Sequence, residues 1–302
     1  MSGKADAADD VVVVKLGGSV LSTPKAYGRA ARFLLRRLRA GAGAHPLGGE
    51  RFVAVVSAQN GSTDTLERAA RRAAPRPSNR ALDLLWSTGE IRSVALLTLH
   101  LEALGVAAVG LNTHETGLRL GCGPRAAGPE AVLFHGQRLR AALEAHRVVV
   151  VPGFLATDAA ETIVSLGRGG SDLTAVLLAR SLGAARCELV KDVPGYFSAD
   201  PHRDSAARQL PAVSYSSALG LADAGCDLVQ RAAIEAAAHA GLPLIIRSLD
   251  ERAPATIVSH GPAGEPALVS RAACVPNDFV ISNSCCHAEP APAGEEASFG
   301  TI

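Results

Sequence analysis

The sequence predicts an α/β fold, a three-layer α/β/α sandwich with a mainly parallel central sheet. Short runs of β-branched residues alternate along the chain with segments that have apolar residues at helical spacing. Hydrophobic residues make up 48% of the 302 positions, which is enough for a large core. Glycine-bearing turns follow several of the predicted strands. In open α/β sheets, binding sites lie at the carboxyl ends of such strands.

The first half of the chain contains four predicted strands and two predicted helical segments. The strands cover residues 11–16, 52–56, 107–111 and 148–151. The helical segments cover residues 29–40 and 81–104, the second interrupted at residues 87–90, and a polar loop is expected over 57–64. Residues 41–50 and 121–130 are rich in Gly, Pro and Ala and are expected to be exposed loops.

The second half repeats this alternation. Strands are predicted over residues 162–165, 187–190 and 244–247, and helices over 173–182, 216–222 and 231–240. Because strands and helices alternate throughout, residues 11–260 are predicted to form one domain. Residues 1–10 are expected to be a flexible N-terminus and residues 261–302 a partly disordered C-terminal extension.

The charge balance argues against nucleic-acid and membrane partners. There are 30 Lys and Arg residues against 29 Asp and Glu, a formal net charge of +1. No apolar run approaches the roughly 20 residues of a membrane span, and the first ten residues are polar. We therefore expect a cytoplasmic protein. The six cysteines form no CxxC pair, and the Cys285-Cys286-His287 run has no second ligand cluster, so no metal site is predicted.

The first glycine turn, KLGGSVL, is a candidate phosphate-binding turn. Lys15 lies on the predicted strand, and Gly17, Gly18 and Ser19 follow in the turn. Glycines allow backbone N–H groups to approach phosphate oxygens, and lysine adds a point charge. The lysine precedes the glycines, so this is not a Walker loop. An ordinary tight turn remains the alternative.

The second turn, LGRGGSDLTA, combines a guanidinium, a carboxylate and a helix start. Arg168 and Asp172 lie among the glycines of 167–170. This combination suits an anionic substrate beside a transferring phosphoryl group. The alternative is a capped turn in which Ser171 or Asp172 is the helix N-cap.

The third loop, KDVPGYFSADP, covers residues 191–201 and is a candidate nucleotide pocket. Tyr196 or Phe197 would lie against the base, and Asp192 or Asp200 would bond the sugar or the base edge. An ordinary surface loop is the alternative.

These three loops, in this order, resemble those of the aspartokinases, members of the amino acid kinase superfamily. Four further segments carry the resemblance, which runs from about residue 11 to 258. They are VVSAQNGSTDTL, LLWSTGEIRSVALL, LNTHETGL and VSYSSALGLADAG. The combination of STGE with LGRGGSD is the most specific part. The resemblance implies the amino acid kinase fold and phosphorylation of the side-chain carboxylate of L-aspartate by ATP.

The resemblance also implies roles for individual residues. Lys15 and Asp172 would be catalytic, with Lys15 stabilising the transferring phosphoryl group. The acceptor amino acid would be bound by Thr63, Glu90, Arg168 and Ser171, with Glu90 on its α-amino group and Arg168 on its α-carboxylate. The nucleotide would be bound by Gly17, Gly18, Ser19, Lys191, Asp192, Phe197, Asp200 and Pro201. Mg²⁺ would bridge the phosphate oxygens, and the protein would be a homodimer.

Two segments depart from the family pattern. KDVPG stands in place of TDVDG, so Lys191 replaces threonine, and DAGCDLVQ places Asp227 where a phosphate-facing lysine is expected. Only 44 residues follow Val258, so the paired regulatory domains of most aspartokinases are not expected. Two alternatives therefore stay open: a sister kinase acting on a related amino or dicarboxylic acid, and a nucleotide-binding pseudokinase.

Overall fold

The central strand of the main sheet is β1, Val11–Leu16, in which all six residues are buried. Its alternate residues face two different apolar layers. Val11 and Val13 join one buried cluster, and Val12 and Val14 join the other. Successive side chains of a strand point to opposite faces of the sheet. A strand that is apolar on both faces therefore needs a layer of helices on either side.

The computed structural model describes residues 11–40, 49–121, 132–167, 169–184, 186–199, 201 and 204–261. The predicted N-terminal segment 1–10 lies outside these ranges, as do all but one residue of the predicted extension 261–302. Most of the two predicted loops 41–50 and 121–130 also lies outside them, so those predictions stay untested.

The described part of the chain forms twelve strands and eight helices. The strands are β1 Val11–Leu16, β2 Arg51–Val56, β3 Ala108–Gly110, β4 Leu118–Leu120, β5 Val132–Phe134, β6 Val148–Pro152, β7 Leu155–Thr157, β8 Ile163–Ser165, β9 Cys187–Val190, β10 Ala212–Ser214, β11 Leu244–Arg247 and β12 Thr256–Ser259. The helices are α1 Pro24–Ala40, α2 Ser62–Ala73, α3 Asn79–Glu102, α4 Thr113–Thr116, α5 Gln137–Ala145, α6 Gly170–Leu182, α7 Tyr215–Asp223 and α8 Arg231–Ala240.

Eight strands form the main sheet, in the order β10-β12-β11-β9-β1-β2-β6-β3. The six strands from β11 to β3 are all parallel to one another. Strand β12 is antiparallel to β11 and parallel to β10. Helices α1 and α3 share the apolar layer on one face, and α5 to α8 share the layer on the other. The predicted sandwich with a mainly parallel sheet is thus confirmed.

A second, four-stranded sheet was not predicted. Its order is β5-β4-β7-β8, and both α3 and α6 contact it. Each of its strands has only three residues. Such strands are too short to produce a visible alternation of apolar and polar residues, which explains why the sequence does not reveal most of them.

The helix around residues 81–104 is continuous, so the predicted interruption at residues 87–90 is wrong. The hydroxyls of Ser87 and Thr88 donate to the carbonyl oxygens of Leu84 and Leu85, each at 2.7 Å. These bonds within the helix satisfy both polar side chains without breaking it. The predicted loop 57–64 also ends early, because α2 begins at Ser62. Within the described ranges, no helix has both the length and the apolar character needed to cross a membrane.

Candidate active site

Four adjacent parallel strands, β9, β1, β2 and β6, end at the same edge of the main sheet. The ladder of backbone hydrogen bonds continues beyond the strand ends. The N–H of Gly17 donates to the last residue of β9, that of Ser57 to the last residue of β1, and that of Gly153 to the last residue of β2. The loops that follow these strands are therefore fixed next to one another, at the usual place for a binding site.

Asp172 lies between two lysine ammonium groups at this edge. The Nζ atom of Lys15 is 2.7 Å from Oδ1, and the Nζ atom of Lys191 is 2.8 Å from Oδ2. The side chains of Lys15, Asp172 and Lys191 are only 9%, 3% and 12% exposed. Two positive charges thus meet one negative charge in a nearly closed environment.

The two lysines keep Asp172 ionised. Burial alone would raise the pKa of the Asp172 carboxyl, but the charges and hydrogen bonds of Lys15 and Lys191 hold that pKa well below its usual range. Burial lowers the pKa of Lys191 to about 8, against the attraction of Asp172. Lys191 is therefore a cation at neutral pH that loses its proton more easily than an ordinary lysine.

The glycine turn after β1 faces this cluster. A Cβ atom at Gly17 would lie 3.4 Å from the Nζ atom of Lys15, and one at Gly18 would lie 2.8 Å from the carbonyl oxygen of Ala58. The second distance is too short for any side chain, so only glycine allows the turn to approach the loop after β2. The turn, Lys15 and the loop after β2 therefore lie close together at this edge of the sheet.

The start of α6 brings Ser171 and Asp172 to the same place. Gly169 is the N-cap, with a φ of 70° that favours glycine, and it makes no side-chain capping bond. Ser171 and Asp172 lie in the first turn, so the alternative in which one of them is the N-cap is wrong. The Oγ atom of Ser171 is 2.7 Å from the position of a Cβ at Gly153, which places the residue that follows β6 against the first turn of α6. Arg168 lies outside the described residues.

Glu90 is a buried carboxyl on α3. It is 4% exposed, and burial raises its pKa to about 8 against a backbone hydrogen bond from Ala58 and the charge of Lys15. Its Oε2 atom makes no hydrogen bond to any residue that the structure describes. Burying such a group without a partner is costly. An ammonium group bound next to it would supply the missing partner.

An aromatic pair connects the helix that carries Glu90 to the helix that carries Asp172. Trp86 lies one helical turn before Glu90, and its ring meets that of Phe154 edge-on, with centroids 5.9 Å apart. The N–H of Phe154 donates at 3.1 Å to the hydroxyl of Thr174 in α6. The pair therefore fixes α3 relative to α6, and its place beside Glu90 was not singled out from the sequence.

The residues of the 191–201 loop differ in how much of their surface is accessible to a ligand. Tyr196 is 1% exposed and belongs to the core, so of the two predicted aromatic residues only Phe197 keeps accessible surface for a base. Asp192 is exposed and Pro201 is half-buried, whereas Asp200 lies outside the described residues. The sequence placed Lys191 in the nucleotide pocket. Its contact with Asp172 was missed, since residues far apart in sequence give no sign that their side chains meet.

Three further residues, Thr63, Asp227 and Gln230, lie apart from this cluster or beside it. Thr63 is the second residue of α2 and is half-buried. Asp227 is exposed, and the nearby Arg231 pairs with Asp223 and Glu235. Gln230 lies directly over Gly169, so that a Cβ at that glycine would overlap the Gln230 side chain.

Comparison with known proteins gives a consistent result. Residues 10–248 match the model of the amino acid kinase family. The chain is 40% identical to an aspartokinase of Thermus thermophilus over 212 residues, which cover 70% of this chain and 52% of that protein. It is 34% identical to aspartokinase 2 of Bacillus subtilis over 271 residues, which cover 86% of this chain and 62% of that protein. The chain thus spans about half to three-fifths of the length of these curated relatives.

Solved structures show the same relationship. The aspartate kinase of Synechocystis has a TM-score of 0.71 at 33% identity, covering 86% of this chain and 41% of that chain. Aspartokinase III of E. coli, in complex with aspartate and ADP, has a TM-score of 0.69 at 25% identity, covering 83% of this chain and 65% of that chain. A carbamate kinase from Giardia lamblia shares the fold at 16% identity, with a TM-score of 0.58 and coverage of 84% and 99%.

Proposed function

This chain belongs to the amino acid kinase family, and from that premise we propose that it transfers the γ-phosphoryl group of ATP to the side-chain carboxylate of L-aspartate. The products would be 4-phospho-L-aspartate and ADP. The observation that carries the proposal is the position of Asp172 between Lys15 and Lys191, beside the glycine turn. Similarity to the aspartokinases, one of them crystallised with aspartate and ADP, supports the choice of acceptor.

The proposed reaction needs little covalent chemistry from the protein. A carboxylate oxygen of aspartate attacks the γ-phosphorus, and the bond to the β,γ-bridging oxygen breaks, leaving its electron pair on ADP. No proton moves, because the aspartate side chain is already ionised at neutral pH. Positioning and positive charge provide most of the catalysis in such a transfer. Lys15 supplies charge at the phosphoryl group, and Asp172 holds Lys15 in place.

Opposite charges would bind the two poles of the acceptor. We assign the α-ammonium group of aspartate to Glu90, whose Oε2 atom lacks a partner among the described residues. Arg168 is proposed to bind the α-carboxylate, as a guanidinium matches that group well. Thr63 and Ser171 would add hydrogen bonds. Trp86 and Phe154 would form the wall between the two helices.

The nucleotide would occupy the neighbouring part of the same edge. Gly17, Gly18 and Ser19 are proposed to bind its phosphates, and Lys191, Asp192, Phe197, Asp200 and Pro201 to line the rest of its site. In the part of the chain that the structure describes, no three His, Cys, Asp or Glu side chains are grouped to hold a metal ion. We propose that Mg²⁺ would bind together with ATP and would neutralise phosphate charge there. The homodimer and the cytoplasmic location stay predictions.

The test measures ADP and acyl phosphate together. The purified chain is incubated with Mg-ATP and L-aspartate, ADP release is followed by a coupled assay, and hydroxylamine traps the acyl phosphate as its hydroxamate. We expect equal amounts of the two products. N-acetyl-aspartate, which has no ammonium group for Glu90, should give neither.

The same experiment separates the alternative functions. A sister kinase would form no hydroxamate with aspartate but would do so with another amino or dicarboxylic acid. A pseudokinase would bind ligands without turnover with any acid. Trp86 is the only tryptophan of the chain and lies one turn from Glu90, so its fluorescence reports acceptor binding independently of turnover.

A further inference from the structure

Lys191 is held in a fixed place at the reaction edge. It directly follows β9, and its backbone N–H donates at 2.8 Å to the carbonyl oxygen of Arg247, the last residue of β11. Its side chain is 12% exposed and reaches Asp172 at 2.8 Å. Lys15 reaches the other oxygen of the same carboxylate from the neighbouring strand β1. The two ammonium groups thus converge from adjacent parallel strands.

One lysine would be enough to neutralise Asp172. A second, nearly buried ammonium group leaves an excess positive charge, which is costly in a poorly hydrated site. Among the ion pairs of the described residues, Asp172 is the only anion within 4.0 Å of either lysine. A cluster with one excess positive charge is suited to binding an anionic ligand, because the negative charge of the ligand offsets the excess.

The choice of lysine is itself informative. Of the 30 basic residues in the chain only four are lysines, and two of these four meet at Asp172. Elsewhere the chain uses arginine, whose broad planar fork binds a carboxylate in two places. An ammonium group is compact and can bind Asp172 while turning its other N–H groups toward a second partner.

We propose that Lys191 is a second catalytic lysine, which contacts the transferred phosphoryl group together with Lys15; this rests on the phosphoryl transfer proposed above. As the bond from phosphorus to the bridging oxygen breaks, negative charge spreads over the phosphoryl oxygens and the leaving oxygen of ADP. Two ammonium groups on one side of that centre stabilise this charge. Asp172 keeps them apart and in position.

Nucleotide binding tests the contact directly, whatever the acceptor. Dissociation constants of Mg-ATP and Mg-ADP are measured by calorimetry for the wild-type chain, K191M, K191R and the control K25M, whose lysine is exposed on α1. The loss of one charge-assisted hydrogen bond to the γ-phosphate should weaken ATP binding relative to ADP binding by about 10-fold or more in K191M. K25M should keep the wild-type ratio. A ratio in K191M within twofold of wild type would overturn the proposal.

Turnover gives the second measurement. With the acceptor that the wild-type chain phosphorylates, K191M should lose kcat by about 100-fold or more, with the KM of the acceptor changed less than about threefold. K191R should not recover the rate, because a guanidinium does not fit the position of an ammonium. A K191M variant that melts earlier but keeps its kcat would show that Lys191 has only a structural role. A wild-type chain without turnover on any acid would refute the proposed function, while the ATP-to-ADP ratio would still decide the contact.

Discussion

Asp172 and Glu188 are two buried carboxylates that meet cations in very different ways. Glu188 lies within β9 and is 1% exposed. Arg37 donates to both of its oxygens, at 2.6 and 2.7 Å, and Arg186 and Arg247 add contacts at 2.9 and 3.3 Å. Asp172 meets two lysines, at 2.7 and 2.8 Å. Both carboxylates are therefore strongly stabilised in the ionised form.

The arginine cluster around Glu188 satisfies both oxygens of the carboxylate. Arg37 binds the carboxylate with its fork, and its guanidinium lies 5.8 Å from the ring centroids of both Phe33 and Phe52. Its donors and its planar faces are thus in use. The cluster joins α1 to the main sheet, and its one buried donor without a hydrogen-bond partner among the described residues is the Nε atom of Arg247.

The lysine cluster around Asp172 lies instead at the ends of the parallel strands, next to the glycine turn. Each ammonium has three donors. Lys191 donates one of them to Asp172 at 2.8 Å, and the Lys15 ammonium forms an ion pair with the other carboxylate oxygen at 2.7 Å. The comparison teaches that burial and charge alone do not mark an active site. Position at the carboxyl edge and cations with spare donors distinguish the proposed catalytic cluster from the arginine cluster around Glu188.

The largest effect is expected from D172N. The amide removes the charge that organises Lys15 and Lys191, so kcat should fall by about 100- to 1,000-fold. The coupled ADP assay measures this, and circular dichroism checks that the variant is folded at the assay temperature. D250N, at an exposed residue, is the control and should keep the wild-type rate. A D172N variant within tenfold of wild-type kcat would remove the distinction between the two clusters.

E188Q is expected to lower the stability of the protein and to leave kcat unchanged, which is the reverse of the result expected for D172N. Burial alone would raise the pKa of Glu188, but the hydrogen bonds and charges of its arginine partners lower it to about 2. Removing this carboxylate leaves uncompensated arginines in the interior, so we expect a loss of about 3 kcal/mol in the free energy of unfolding. Urea titration at pH 7 measures this loss, and kcat per folded molecule should be unchanged.

The control for E188Q is E251Q. Glu251 pairs with Arg36 at 2.5 Å on the surface, and such pairs contribute at most about 1 kcal/mol. Because the folded pKa of Glu188 lies below its unfolded value, its contribution is present above about pH 4.5 and is lost as the pH falls toward 2. The stabilities of wild type and E188Q should therefore converge in acid. A constant difference from pH 7 to pH 3 would contradict the assigned charge state.

Local sequence patterns pointed to the proposed catalytic cluster but not to the arginine cluster around Glu188. Lys15 and Asp172 each stand beside a glycine turn, and such local patterns are visible in sequence. Glu188 gives no such signal, because its partners come from α1, β11 and the residue two positions before it. Lys191 falls between these cases, since its loop was recognised but its contact with Asp172 depends on the pairing of β1 with β9.

In the fold, too, features with a strong local sequence pattern were predicted and features without one were missed. The long apolar strands and most helices were predicted because their periodicity is strong. The second sheet was largely missed because its strands have three residues each. The predicted break in α3 was wrong because propensity suggested that Ser87 and Thr88 end a helix, whereas their hydroxyls bond to carbonyl oxygens one turn earlier.

Glu90 is a third buried carboxyl group, and it differs from Asp172 and Glu188 in forming no ion pair with a described residue. Its Oε2 atom has no hydrogen-bond partner among the described residues. If it binds the ammonium group of the acceptor, E90Q should raise the KM for aspartate by about 10- to 100-fold, with a smaller change in kcat. Initial-rate kinetics measure this, with E102Q at the exposed end of the same helix as the control. An unchanged KM would mean that Glu90 does not contact the acceptor.

Without ligand, the same substitution should stabilise the protein. Burial raises the folded pKa of Glu90 from 4.5 to about 8, so folding favours its neutral form. Glu90 therefore destabilises the fold increasingly as the pH rises from about 4.5 to about 8. Urea titrations should give E90Q and wild type equal stability near pH 4, and E90Q an advantage of about 1 to 3 kcal/mol at pH 8. Saturating aspartate should reduce that advantage, because only wild type gains the ion pair. If E90Q were less stable than wild type at pH 8 without ligand, the carboxylate would already have a partner in the folded chain.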